Sequence, residues 1–140
     1  MIYIFHDRGQ SPEDLERFKV LLERALPSDE FSVPYLPHFN TGVKAEDSFK
    51  LIAQRNHFSS GTVVIGIGLG GLLAAKLQET QDLTVITIAS PTQMDGIRLE
   101  SKTKNRLAIY SSHDEHIMPF TNWPNFTSDA FECTSLMFHN

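Results

Sequence analysis

Three groups of residues in this chain have types and spacing suited to chemistry. The first is a run of glycines, Gly66, Gly68, Gly70 and Gly71, between an apolar β-branched stretch and a leucine-rich one. Gly66, Gly68 and Gly71 fit G-x-G-x-x-G, the spacing of a loop whose backbone N–H groups cradle phosphates. Read instead as G-x-S-x-G, the same stretch puts Gly68 where a nucleophilic serine would stand. The second group is an acid and a base further along, Asp114 and His139. The order nucleophile position, acid, histidine is one of the orders in which such triads occur. The third group follows the first two apolar stretches: His6 and Asp7, then His38. His113 and His116 stand three apart, a spacing that can hold zinc on one helical turn. No further ligand motif accompanies them, so a solvated loop is the expected role, and neither metal nor cofactor is expected.

These residues need a frame. Residues 2–6 read as a first strand. Ser11, Pro12 and Asp14 then form a helix start with a capping serine and proline in the first turn. Leu15, Phe18, Leu22 and Ala25 recur at helical spacing, and Pro27 ends the run. Residues 31–36 read as a second strand, which Pro34 confines to a sheet edge. Ala45, Phe49, Ile52 and Ala53 mark a second helix reaching about residue 58. Val63 to Ile67, Leu83 to Ala89 and Arg106 to Tyr110 are short apolar runs of the kind buried in parallel sheets. Residues 92–105 are weakly patterned, with a short helix or a loop expected, and a last strand is expected over 131–138. Strand and helix alternate, which predicts one α/β domain over residues 1–140: a doubly wound, mostly parallel sheet of five to six strands with helices on both faces. Ligands bind such sheets at the carboxyl ends of the strands. Ser59 and Ser60, ahead of the central strand, therefore belong to the wrong end. Ser111 and Ser112 are at the right end but lack a sharp turn to present them.

Composition narrows the function classes. The net charge is −5 with no basic stripe, so nucleic acid and anionic membranes are poor partners. Cys133 is the only cysteine, which excludes an intrachain disulfide. No apolar run approaches the ~18 residues of a membrane span. Residues 1–5 lack the basic flank of a signal peptide, and the expected location is cytoplasmic.

The ordered series of motifs resembles the α/β-hydrolase superfamily. Ile4-Phe5-His6-Asp7-Arg8-Gly9 resembles the family's first strand with its H-G-x-G loop. Tyr35-Leu36-Pro37-His38-Phe39-Asn40-Thr41-Gly42 resembles the loop after the next strand. Ile65-Gly66-Ile67-Gly68-Leu69-Gly70-Gly71 resembles the nucleophile elbow. Ile88-Ala89-Ser90-Pro91 resembles the end of the strand after it. The stretch from Ile109 to Pro119 resembles the acid loop, with Asp114 at the acid position, and His139 stands where the family's histidine lies. The resemblance spans nearly the whole chain and implies a minimal, cap-less three-layer sandwich. It also implies a site with Asp114 and His139 as a residual acid–histidine pair, and backbone donors from Leu69 and a residue near Asp7. His6 and His38 would lie beside that cleft. Two departures stand out. Gly68 leaves the nucleophile position vacant, and Asp7 brings a carboxylate where developing negative charge would be repelled.

The expectation is an α/β-hydrolase-like homologue without ordinary serine esterase activity that binds a small molecule or a protein. One alternative is a hydrolase or lyase that activates water through Asp114 and His139. Another is a nucleotide-binding module built on Gly66, Gly68 and Gly71. Self-association is compatible with the proline-bearing edge strand and the ten phenylalanines.

Overall fold

The structure, a computed structural model, describes residues 1–100, 103–111, 123 and 126–133. Its centre is a six-stranded, wholly parallel sheet. The strands are β1 (Ile2–Phe5), β2 (Phe31–Ser32), β3 (Thr62–Ile67), β4 (Leu83–Ile88), β7 (Thr103–Ser111) and β8 (Thr127–Cys133), in the order β2-β1-β3-β4-β7-β8. The chain runs outward from β1 to β2, crosses back over β1 to β3, and then proceeds the other way. The carboxyl ends of β1 and β3 are therefore the point where the winding reverses, the usual ligand crevice of an open α/β sheet.

Among the described residues the α-helices are α1 (Glu16–Ala25), α2 (Ala45–Arg55) and α3 (Leu69–Gln78). Alternation along each strand divides the apolar residues between two faces. Phe5, Val64, Val85 and Ala108 pack with Ala45 and Ile52 of α2 and with Leu72, Leu73 and Leu77 of α3. Ile4, Ile65, Ile67 and Ile88 pack on the other face with Leu15, Phe18 and Leu22. Helix α3 is buried along almost its whole length, which explains why its sequence is apolar on every side. The first helix begins as a 3-10 turn, Pro12–Leu15, where the Ser11 N–H donates to the Asp14 carboxylate at 2.8 Å.

The elements differ from the sequence expectations at several boundaries. Strand β2 is only two residues long, because the chain leaves the sheet ahead of Pro34; it lies at the sheet edge. Helix α2 stops at Arg55 rather than near residue 58. Strand β8 begins four residues earlier than the expected 131. Where a short helix or a loop was expected over residues 92–105, β5 (Gln93–Met94) and β6 (Ile97–Arg98) form an antiparallel hairpin. Its turn is Asp95-Gly96, with φ of 47° and 89°. Asp-Gly is the dipeptide that favours such two-residue turns, so the hairpin had a local signal after all. Among the described residues no helix is long and apolar enough to cross a membrane.

Trp123 belongs to the core, and the partly buried Phe126 packs against it. The Trp123 indole is 1% exposed, and its N–H donates to the Ser90 carbonyl at 2.7 Å.

Candidate functional site

Strand β3 ends in a sharp reversal. Gly68 has φ 56° and ψ −125° and is followed at once by the first turn of α3. L-residues rarely adopt this backbone conformation, and holding one there costs of order 1–3 kcal/mol. The helix also presses on the strand it follows. A Cβ on Gly66 would lie 2.3 Å from Cα of Gly71, so helix and strand touch through their backbones. Two backbone bonds pin the reversal: Gly68 N–H donates to the Ile88 carbonyl at 2.9 Å and Gly71 N–H to the Gly68 carbonyl at 3.1 Å.

The side chain that meets this reversal comes from the neighbouring strand. Register pairing sets Phe5 of β1 against Gly66 of β3, which brings the next residues of each strand together beyond the sheet. Asp7 reaches across to α3. Its Oδ1 accepts the Leu69 N–H at 2.7 Å and the Arg8 N–H at 2.8 Å. The carboxylate thus takes two backbone donors at once, one of them at a helix N-terminus where negative charge is favoured. It also fills the space a side chain at position 68 would need. A Cβ on Gly68 would lie 2.1 Å from Asp7 Cγ and 2.2 and 2.3 Å from its two oxygens.

The loop that carries Asp7 is held by two buried histidines. His6 and His38 are both fully buried, with ring centroids 4.9 Å apart. His6 Nε2 accepts the Leu36 N–H at 2.9 Å, so its proton sits on Nδ1, 2.9 Å from the Asp7 carbonyl. His38 Nε2 lies 2.7 Å from the His6 carbonyl and must donate to it; His38 Nδ1 then accepts the Ser48 hydroxyl at 2.7 Å. Each ring is satisfied as a neutral imidazole. Burial pushes His38 down to about 4, against the opposing hydrogen bond to His6. Burial also holds His6 below its usual value, with the Asp7 backbone hydrogen bond opposing. Gln10 completes the loop by accepting the Asp7 N–H at 2.9 Å.

Asp7, Gly68 and Leu69 therefore come together, while His6 and His38 lie packed behind them, bonded to backbone and to Ser48. Asp114 and His139 lie outside the described residues. One contributor, Asp95, had no place in the sequence reading, and Ser90 entered it only as part of a strand end. Asp95, at the tip of the hairpin, pairs with the Arg8 guanidinium at 2.5 Å and steadies the loop after β1; the Arg8 hydrogen bond and charge hold its carboxyl below the usual range. Ser90, after β4, lies against Gly71: a Cβ there would fall 1.9 Å from the serine hydroxyl. Ser60 bonds the Asp82 carboxylate at the opposite, amino end of the sheet, away from the reversal. Among the described residues, no cluster of three or more histidine, cysteine or carboxylate side chains could hold a metal ion.

Solved structures share this fold. A proposed hydrolase of the alpha/beta superfamily from Xanthomonas campestris pv. campestris superposes with a TM-score of 0.70 at 14% identity, over 96% of this chain and 86% of that one. The ydeN gene product of B. subtilis gives 0.65 at 16% identity, over 96% and 84%. A proposed YdeN-like hydrolase from Pectobacterium atrosepticum gives 0.66 at 15% identity, over 94% and 75%. The fold is that of the α/β-hydrolases. No protein-family model and no curated protein matches the sequence. At these identities the likeness concerns the backbone and its connections. The residues of this α/β-hydrolase-like chain have to be read on their own chemistry.

Proposed function

We propose that this chain is an α/β-hydrolase-fold binding protein that does not carry out serine ester hydrolysis. The observation that carries the reading is the Asp7 carboxylate on the Leu69 N–H, in the volume a side chain at position 68 would require. Acyl transfer on this fold needs a nucleophile at the elbow and unoccupied N–H donors for the oxygen that becomes charged. Taking Gly68 as the elbow position, this chain has no nucleophile atom there. Taking the Leu69 and Arg8 N–H groups as the oxyanion donors, both are already bonded to a carboxylate. Loss of a triad member alone removes roughly 10⁴–10⁶-fold of the rate in working enzymes. A single-domain protein that binds a small molecule or another protein in the cytoplasm is the reading that fits. The lone Cys133 and the net charge of −5 agree with that placement.

The same contact weighs against a nucleotide-binding loop. A pyrophosphate would need the N–H groups at the start of α3, and Asp7 brings negative charge to that place. Strand β4 also ends Ile88-Ala89-Ser90, with no carboxylate for ribose hydroxyls.

Hydrolysis of p-nitrophenyl acetate and butyrate tests the reading. The parent protein is expected to show only the rate of buffer, and Gly68→Ser alone is expected to stay inactive because the Asp7 carboxylate it displaces is still carried beside the turn, where it repels developing negative charge. Turnover by the parent that is lost in His139→Ala would overturn it in favour of water activation by Asp114 and His139. A thermal-shift series with NAD and mononucleotides tests the phosphate loop, for which no stabilisation at saturating ligand is expected.

A further inference from the structure

We infer that Asp7 is a built-in ligand of the β3–α3 turn, an autoinhibitory contact that closes the turn to the carboxylate or other singly charged oxygen anion its donors would take. The inference rests on the functional reading above and extends it from a missing atom to an occupied site.

Three observations converge on it. The acceptor is one oxygen, Asp7 Oδ1, and it takes two N–H groups from different elements, Leu69 at the start of α3 and Arg8 in the loop after β1. Two convergent backbone donors on one oxygen are the arrangement that binds an anionic oxygen of a ligand. The carboxylate also overlaps the Cβ position of Gly68, so the side chain from β1 stands where a residue of the turn itself would project. Finally, the contact lies at the reversal of sheet winding between β1 and β3, the place where ligands enter this class of sheet.

The surroundings hold the contact in place. His6 bonds the Asp7 carbonyl, Gln10 bonds the Asp7 N–H, and the Arg8–Asp95 pair fastens the next residue to the hairpin. A surface carboxylate that met α3 by chance would not need its backbone fixed on both sides. Asp7 and Gly68 consequently form a matched pair. A side chain at position 68 expels the carboxylate, and removal of the carboxylate alone uncovers the donors without supplying a nucleophile.

The experiment uses the full chain and NMR, with sodium acetate as the probe. In the unaltered protein, a through-hydrogen-bond scalar coupling between the Leu69 amide nitrogen and Asp7 Cγ is expected. In Asp7→Gly, acetate is expected to shift the Leu69 and Arg8 amides together and to saturate in the millimolar range. In the unaltered protein the same additions are expected to have an effect about tenfold weaker or less. A folded Asp7→Gly protein whose two amides ignore acetate would overturn the inference. So would an unaltered protein that responds as strongly as the variant. If Asp7→Gly does not fold, the coupling in the unaltered chain decides: its absence sinks the contact. Ester turnover by the parent would sink the functional reading and leave the coupling result standing, so the two failures are distinguishable.

Discussion

At the scale of single residues, Gly68 and Asp7 explain each other. Gly68 is required twice over, once by its positive φ and once by the carboxylate that occupies its Cβ space. Gly68→Ala should therefore cost about 3 kcal/mol, from backbone strain and from expulsion of a carboxylate bonded to two N–H groups. In an Asp7→Gly background only the strain remains, so the same substitution should cost roughly 1–2 kcal/mol. Urea unfolding of the four proteins in the cycle measures the difference. A coupling within about 0.3–0.5 kcal/mol of zero, the range for independent sites, would show that the two residues do not meet. The glycine itself was legible in the sequence, because the pattern around it is a strand-turn-helix pattern. The carboxylate was legible only as a departure from a motif. Nothing in the order of residues states that a side chain after β1 lands on the first amide of α3.

At the scale of elements, helix α3 depends on a buried arginine for its far end. Arg106 on β7 is 1% exposed. Its guanidinium donates to the Ala75 carbonyl at 3.1 Å, to Gln78 Oε1 at 2.9 Å and to the Phe126 carbonyl at 2.9 Å. It thereby satisfies a carbonyl of the last turn of α3 and ties the segment entering β8 to the sheet. Burial lowers its pKa to about 10, which still leaves it charged at neutral pH. Arg106→Met should destabilise the fold by roughly 3 kcal/mol, because three acceptors lose their donors at a buried position. Arg106→Lys should recover only part of this, since an ammonium lacks the planar fork that reaches all three. Denaturant midpoints of the three proteins check the order. The sequence placed Arg106 at the start of a strand but carried no sign of its partners, which lie 20 to 31 residues away along the chain. The β5–β6 hairpin is the opposite case. Its Asp95-Gly96 turn is a local signal, while its ion pair with Arg8 spans 87 residues and was invisible.

At the scale of the whole molecule, the two buried histidines join β1, the loop after β2 and helix α2 into one polar network. Both are held neutral by burial, so the unfolded chain binds more protons than the folded one as pH falls below the ordinary histidine range. Stability should be fully present above about pH 6.5 and should drop as pH falls toward 4. For His38, whose pKa is pushed down to about 4, the loss between pH 7.5 and 5 is about 2 kcal/mol, and His6 adds in the same direction. Unfolding by urea at pH 7.5 and pH 5 measures this. His38→Gln should be less stable at pH 7.5 and should lose less between the two pH values. An unchanged acid sensitivity in that variant would remove His38 from the account.

Taken alone, the sequence determined the alternation of strands and helices, the parallel sheet and the glycine turn. Those follow from apolar periodicity, glycine and proline, whose effects act within a few residues. The three-layer arrangement followed as well, because a run that is apolar on all sides has to be buried between a sheet and other elements. What only the tertiary structure decided is the occupant of the turn. Parallel pairing of β1 with β3 sets Asp7 beside Leu69, across 62 positions of chain. That contact depends on strand register and on the backbone approach of α3, which no local pattern encodes. His6 and His38, read as lying beside the cleft, support that loop for the same reason: the Leu36 N–H, the His6 carbonyl and the Ser48 hydroxyl that hold them are brought together by packing.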